Sequence, residues 1–409
     1  MAFPNFLRAL RSYNYRCYFL GQLVSMAGTW MQQIAMSWLA YRLTGSAALL
    51  GTIGFASQLP ILLFGALGGV WSDRFDRRRV LLWTQSLSMI QALALALLTW
   101  KGWINAPLLV LLAFGLGCIN ALDMPARQSI AVKLVDDKDD LPNAIALNSF
   151  MMNSTRFVGP ALAGFLIALT GEVVCFLLNA LSYLAVILAL LAMHWRPLPV
   201  QGERQETWAA LRQGVDYCRG HRPIRSLLLI VAAVSFFITP YGVLMPLVTR
   251  EIFGGDARIF GLLVGFGGVG ALGASLYLAS RAGVDELPRT LAFSVPLAGV
   301  ALTAFILSPS LFLAYPAVML LGFCTIVTVA GSNTLIQFHV SDALRGRVMA
   351  LFSIAFLGVA PLGSLAIGLV AEALGVRITL AACGLLILAG CLIWGRRLGR
   401  EVECLPPQA

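Results

Sequence analysis

Gly69-Val70-Trp71-Ser72-Asp73-Arg74-Phe75-Asp76-Arg77-Arg78-Arg79 is a charged interruption in a chain of which only 12% of the residues are charged. Apolar runs abut it on both sides, from Ala47 to Val70 and from Val80 to Trp100. A helix of about 20 apolar residues crosses a bilayer, so each flank reads as a membrane span. The link between them is short and carries Arg74, Arg77, Arg78 and Arg79. Short loops rich in arginine and lysine stay in the cytoplasm. Taken alone, the stretch is a basic hairpin of the kind any multispanning protein needs to fix its topology.

The bulk composition agrees. The 409 residues are 59% hydrophobic with a mean hydropathy of +0.83. A soluble chain of this length carries roughly a quarter of its residues as charges, so the expected class is a polytopic all-α membrane protein. The net charge of +10 invites a nucleic-acid reading. The basic residues, however, lie between apolar spans, where they set orientation, and no nucleic-acid partner is expected. The eight cysteines (17, 118, 175, 218, 324, 383, 391 and 404) form no Cys-x-x-Cys pair and do not cluster with the three histidines. Neither a disulfide framework nor a metal site is expected. The N-terminus lacks a short apolar core followed by a small-residue cleavage site, so no signal peptide is read.

Apolar segments run near 14–41, 47–71, 80–100, 106–124, 141–169 and 173–194, then near 223–248, 257–280, 290–308, 311–338, 347–371 and 376–395. That gives twelve spans, with both termini on one side. Alternating the loops places 23 of the 29 basic residues in the cytoplasm and five outside (Arg42, Lys101, Arg250, Arg258 and Arg377). Arg156 alone is left within a span. The asymmetry fixes the orientation, with both termini cytoplasmic.

The chain also reads as duplicated. Gly69 and Gly273, Gly164 and Gly368, and Gly171 and Gly375 are each 204 residues apart, with six spans per half. The expected division is an N-terminal six-helix bundle over 1–195, a cytoplasmic linker over 196–222 and a C-terminal six-helix bundle over 223–409. Within the linker, Trp208, Leu211, Val215 and Tyr217-Cys218 recur at roughly helical spacing among polar residues. This reads as a short amphipathic helix on the membrane surface, or else as a plain solvated connector.

Candidate functional residues are polar groups inside spans. Gln22, Thr29, Gln33 and Ser37 keep roughly one face of the first span. Asn120, Asp123 and Arg127 share one face of the fourth. In the fifth, Asn148, Met152 and Arg156 follow one another at turn spacing. An arginine at mid-span costs about 2.5–3.5 kcal/mol on insertion scales, and such residues usually face a bundle interior or an aqueous cavity. The expected role of Arg156 is substrate contact or gating, with a structural ion pair as the rival. From the second half, Phe237, Tyr241, Asn333 and Gln337 are the candidates facing it. For each polar residue individually, an interhelical hydrogen bond is an equally simple role. No Asp or Glu falls in the middle of a span, no phosphate-binding glycine loop is present, and no nucleophile–base pattern emerges. The chain is not read as an enzyme, nor as ATP-driven, and needs no cofactor.

The opening stretch (a Gly, three residues, Asp-Arg, two residues, a basic pair) resembles the signature loop between the second and third spans of major facilitator superfamily transporters. Asp76 stands where many members have Gly, so the turn must form without it. Asp123-Met-Pro-Ala-Arg-Gln, Asp140-Leu-Pro-Asn-Ala, Val158-Gly-Pro-Ala-Leu-Ala-Gly and Leu344-Arg-Gly-Arg-Val-Met are similar to the enterobactin-exporter and macrolide-efflux branch. The resemblance covers essentially the whole chain. It implies twelve transmembrane helices in two parallel six-helix repeats with the site at their interface. It also implies a conformational latch of Gly69, Asp73, Arg74, Arg77 and Asp123. There the loop aspartate sits against the N-terminus of the eleventh span and Arg77 pairs with Asp123. Gly159, Pro160 and Gly164 resemble, incompletely, the fifth-span motif of antiporters; a kinked packing face reads equally from the same residues. The implied activity is export of a small amphipathic compound, a siderophore or an antibiotic, from a bacterial cytoplasm by proton antiport. The carrier would be a monomer in the inner membrane. The alternatives are transport of a lipid-like molecule, import of a small solute, or a non-transporting membrane sensor.

Overall fold

The structure, a computed structural model, describes residues 5–131, 134–194, 207–281 and 283–403. Within these, the side chains of 5–6, 66–74, 129, 131, 138, 207–211, 343 and 393–403 are outside the description. The described chain is helical throughout. A short 3₁₀ segment, Asn5–Arg11, leads into α1 (Tyr13–Thr44), α2 (Ala47–Arg74), α3 (Arg77–Trp100), α4 (Ala106–Ala131), α5 (Leu141–Thr170) and α6 (Glu172–Ala192). Then follow α7 (Thr207–Gly220), α8 (Arg222–Phe237), α9 (Pro240–Val243), α10 (Met245–Glu251), α11 (Ala257–Ala279), α12 (Leu287–Leu307) and α13 (Leu311–His339). The chain closes with α14 (Asp342–Ser353), a π-turn (Ile354–Gly358), α15 (Val359–Leu374) and α16 (Val376–Glu403).

Among the described residues, nine helices are long and apolar enough to cross a bilayer, and Val376–Leu392 is a shorter apolar one. α1 and α5, at 32 and 30 residues, have ample length but fall outside the nine. They carry the polar stripes noted above. The expected count of twelve therefore turns on α1, α5 and α16.

The turn that lacks its glycine is solved by a cap. Asp76 has φ −60° and its side chain accepts from the backbone N–H groups of Arg78 (2.9 Å) and Arg79 (3.2 Å). Aspartate is a preferred N-cap because it satisfies donors that have no partner within the helix. No left-handed residue is needed, and α3 starts three residues earlier than its apolar run. Arg78 then reaches across to the far end of another helix. It donates to the carbonyls of Leu190 (2.8 Å) and Leu191 (3.1 Å), where α6 leaves its last acceptors open.

The chain forms two compact units. One comprises 1–45, 56–203 and 256–265; the other comprises 46–55, 204–255 and 266–409. In the first, α1 and α3 pack on α6, and Tyr15, Leu81, Ile130, Met151 and Leu190 share one core. In the second, α12 packs on α13 and α16, while Cys218, Ile224, Leu227, Leu291, Ile336 and Val348 share another.

The 204-residue offset has a physical counterpart. Gly171 (φ 79°) and Gly375 (φ 83°) end α5 and α15 with N–H bonds of 2.9 Å to the carbonyls of Ile167 and Ala371, themselves one offset apart. A β-carbon on Gly164 would lie 2.9 Å from Gly261 Cα; one on Gly368 would lie 2.9 Å from Gly51 Cα. Each contact lies inside one unit and requires two bare backbones.

The repeats are not identical in detail. The seventh segment, expected as one span over 223–248, is divided into α8, α9 and α10. Pro240 is the first residue of α9 and Pro246 the second of α10, first-turn positions where a missing N–H costs nothing. The linker does contain a helix, α7. Its described end lies against α14, with Gly214 on the Arg347 backbone, Arg347 donating to Gln213, and Cys218 buried.

Candidate functional site

α1, α4 and α5 enclose a cavity of about 570 Å³ within the first unit. α1 contributes Tyr15, Tyr18, Met26, Thr29, Trp30 and Gln33, a stripe at spacings of three and four. Asn120, Met124, Arg127 and Gln128 come from α4; Ile145, Asn148, Met151 and Met152 come from α5. Three aromatic rings and four thioethers form much of the wall, with aliphatic side chains between them. Amides and one guanidinium are set into it.

Six of the candidates proposed from sequence meet here: Thr29, Gln33, Asn120, Arg127, Asn148 and Met152. Thr29 also donates to the Ser25 carbonyl at 2.9 Å and lies 3.4 Å from the Tyr183 hydroxyl. Gln22 and Ser37 share α1 without lining the cavity. Gln22 is 1% exposed, and its Nε2 finds no partner among the described residues. Arg156 stands one turn past Met152, exposed, with its guanidinium 5.7 Å from the centre of the Trp30 ring. It is thus beside the wall and not in it. A cation over an indole face gains about 0.5–1 kcal/mol at an exposed site.

The fifth-span motif explains that placement. A β-carbon on Gly159 would come within 2.6 Å of Trp30 Cβ, so only glycine lets α5 close on α1 at this level. Pro160 cannot donate to the carbonyl one turn back, which belongs to Arg156. Gly164 meets a different neighbour, the first turns of α11, where its β-carbon would lie 2.5 Å from the Ala257 carbonyl.

Asp123 lies behind the wall, 2% exposed. Its carboxylate accepts from Thr84 Oγ1 at 2.7 Å and Gln85 Nε2 at 2.8 Å, and pairs with Arg127 Nη2 at 2.9 Å. These are charge-assisted bonds in a dry setting, the stronger kind. Arg127 remains 26% exposed and faces the cavity, while its carbonyl accepts from the Tyr18 hydroxyl at 3.3 Å. The Arg77–Asp123 pairing implied by the resemblance is not among these contacts. The side chains of Gly69, Asp73 and Arg74 lie outside the described residues, although the α2 backbone runs to Arg74.

A second polar group holds the unit together away from the cavity. Gln32 donates to Gln91 (2.9 Å), Asn179 donates to Gln32 (2.8 Å), and Gln91 donates to the Leu112 carbonyl (3.2 Å). In the other unit, Gln337 donates to Asn333, Phe237 meets Phe236 edge-on with centroids 5.0 Å apart, and Tyr241 reaches towards Gly267. Among the described residues no group of three or more His, Cys, Asp or Glu could hold a metal.

Sequence reasoning left out Tyr15, Tyr18, Met26, Trp30, Met124, Gln128 and Met151 as lining residues. The spacing of Tyr15, Tyr18, Met26, Thr29 and Gln33 along the first span was a signal that could have found Tyr15, Tyr18 and Met26.

The profile of a family described as transmembrane secretion effector matches residues 6–405. The staphyloferrin A transporter of Staphylococcus aureus is 26% identical over 94% of this chain and 97% of its own length. The multidrug efflux pump Tap of Mycobacterium tuberculosis is 27% identical over 95% and 94%. Among solved structures, an inward-facing bacterial homologue of the human lysosomal transporter Spinster superposes with a TM-score of 0.72 at 16% identity. It covers 98% of both chains and shares the fold.

Proposed function

The chain belongs to the transmembrane secretion effector family of major facilitator transporters, in the siderophore and drug-efflux branch; from that premise we propose that it exports a small amphipathic compound, siderophore-like or antibiotic-like, across the bacterial inner membrane by proton antiport. Members of this family are transporters, not enzymes. In this reading the carrier is a monomer with both termini cytoplasmic. Segments 1–195 and 223–409 are its two repeats, and 196–222 is the linker.

The observation that carries the proposal is the make-up of the first unit's cavity. Met26, Met124, Met151 and Met152 give it flexible, polarizable walls, the surface type that accommodates varied apolar shapes. Asn120, Gln128, Asn148 and Arg127 supply the few polar groups that orient a ligand. Arg127 faces the cavity while paired with Asp123, and Arg156 stands just outside the wall over Trp30, so an anionic substrate group meets a cationic rim.

The test is uptake into everted membrane vesicles, with a macrolide and a ferric siderophore as probes. Export by antiport appears as accumulation that requires an acidic lumen and disappears with an uncoupler. Accumulation only in right-side-out vesicles would reverse the direction. Transport indifferent to the pH gradient would remove proton coupling. The topology has its own check. Cysteines placed at Arg79 and Gly202 should react with impermeant reagents only from the cytoplasm, and one at Gly102 only from outside.

A further inference from the structure

α11, α12 and α13 of the second unit line a second cavity, of about 410 Å³. One end is polar. The Arg281 guanidinium lies 4.7 Å from the centre of the Tyr277 ring, donates to its hydroxyl at 2.6 Å and pairs with Glu286 Oε2. Glu286 keeps 68% of its side chain exposed, and Arg289 and Thr290 stand one turn further along α12. The other end is apolar. Phe293 and Leu297 continue down α12 opposite Phe323 and Val327 of α13. Phe293 is 76% exposed and Leu297 39%, so this wall is open to whatever surrounds the helix.

Depth settles what surrounds it. The α11 span ends at Ala279 and the α12 span begins at Leu287. Glu286 and Arg289 therefore sit at the edge of the bilayer, and Phe293 and Leu297 sit one and two turns inside it, at acyl-chain level. A groove with charged groups at headgroup depth and apolar walls below has the polarity profile of a phospholipid.

The charges say which one. Both signs are present at the mouth: a guanidinium at Arg289 for a phosphate, and an exposed carboxylate at Glu286 for a cation. We propose that this groove binds one aminophospholipid, its phosphodiester on Arg289, its primary ammonium on Glu286 and one acyl chain along Phe293, Leu297 and Phe323. A phosphatidylglycerol offers nothing cationic to Glu286. A phosphatidylcholine offers a cation without N–H donors and too bulky to share the carboxylate with Arg281.

The test uses the purified, delipidated full chain exposed to an equimolar mixture of dioleoyl phosphatidylethanolamine, phosphatidylcholine and phosphatidylglycerol. Native mass spectrometry counts the lipid that stays bound. The expected result is one phosphatidylethanolamine per chain, held about tenfold or more over the other two, the ratio that one charge-assisted hydrogen bond yields. Glu286→Gln should erase that preference while leaving lipid bound. Arg289→Gln should lower the retention of all three, and Arg258→Gln, at the opposite end of α11 from Tyr277, should change nothing. Equal retention of the three lipids by the parent chain overturns the proposal, as does a preference that survives Glu286→Gln. Should Glu286→Gln not fold, N-methylated phosphatidylethanolamines on the parent replace it: retention must fall with each lost N–H, and a flat series overturns the assignment.

Discussion

Replacing Asp123 with alanine removes the acceptor of two buried hydrogen bonds, from Thr84 and Gln85, and the counter-ion of Arg127. Breaking a buried ion pair from one side costs about 3–5 kcal/mol. The side chain of Arg127 is 26% exposed and that of Asp123 3%. Water can thus repair the arginine but not Thr84 or Gln85, which puts the expected loss at the lower end, about 3 kcal/mol. Asp123→Asn keeps a carbonyl for Thr84 and Gln85 and loses only the charge, so it should cost about 1.5 kcal/mol, near the low end for charge-assisted bonds. The control is Asp140→Ala. It breaks a 3.2 Å pair with Arg8, whose side chain is 40% exposed, and should cost no more than about 1 kcal/mol. Denaturant unfolding of the three purified variants gives the order. If Asp123→Ala is no less stable than Asp140→Ala, the buried cluster is not a stabilising unit. The double variant Asp123→Ala/Arg127→Met should lose less than the sum of its singles, because a cation no longer stands against the gap.

Other outcomes follow from named contacts. Asp76→Ala removes the α3 cap and should cost about 1 kcal/mol, whereas Asp76→Gly should cost only a few tenths; comparison of unfolding midpoints decides. Gly164→Val places a side chain against the Ala257 carbonyl and Gly261, so transport should fall more steeply than membrane abundance, and wild-type transport would remove that contact from the working cycle. Arg156→Gln should weaken binding of an anionic substrate to the purified protein about tenfold and spare neutral compounds, and unchanged anion affinity would take Arg156 out of recognition. Asp73→Asn, which leaves every loop arginine in place, should reduce transport with normal insertion if the loop is a latch; full transport would leave it as a topology signal.

The glutamate that ends α10 adds a pH dependence. Burial, and then the charge of Glu372, hold Glu251 above its ordinary value. A raised carboxyl stabilises the folded state while protonated and loses that contribution as pH rises through the folded value. Glu251→Gln should therefore flatten the stability–pH curve of the parent just above pH 4.5. A parent curve with no slope there would contradict the assignment.

The sequence by itself determined which stretches can live in a bilayer, because twenty apolar residues in a row are a local property needing no partner. It determined the basic loop after α2. It also determined the doubled glycines, since a left-handed helix end such as Gly171 or Gly375 selects glycine one residue at a time. Tertiary structure decided how each helix is turned about its own axis. Gln32 and Gln33 are adjacent and chemically identical, yet Gln32 is buried against Gln91 and Asn179 while Gln33 faces the cavity. That choice is made where Gly28 lets α6 approach, 2.6 Å between a would-be β-carbon and Asn179 Oδ1, and where Gly159 lets α5 approach. The turning of the other helices likewise brings Thr84 and Gln85 of α3 onto Asp123 and leaves Arg156 beside Trp30, just off the wall. Periodicity gives a stripe but not its absolute direction; only the small residues that admit a particular neighbour fix which way it points.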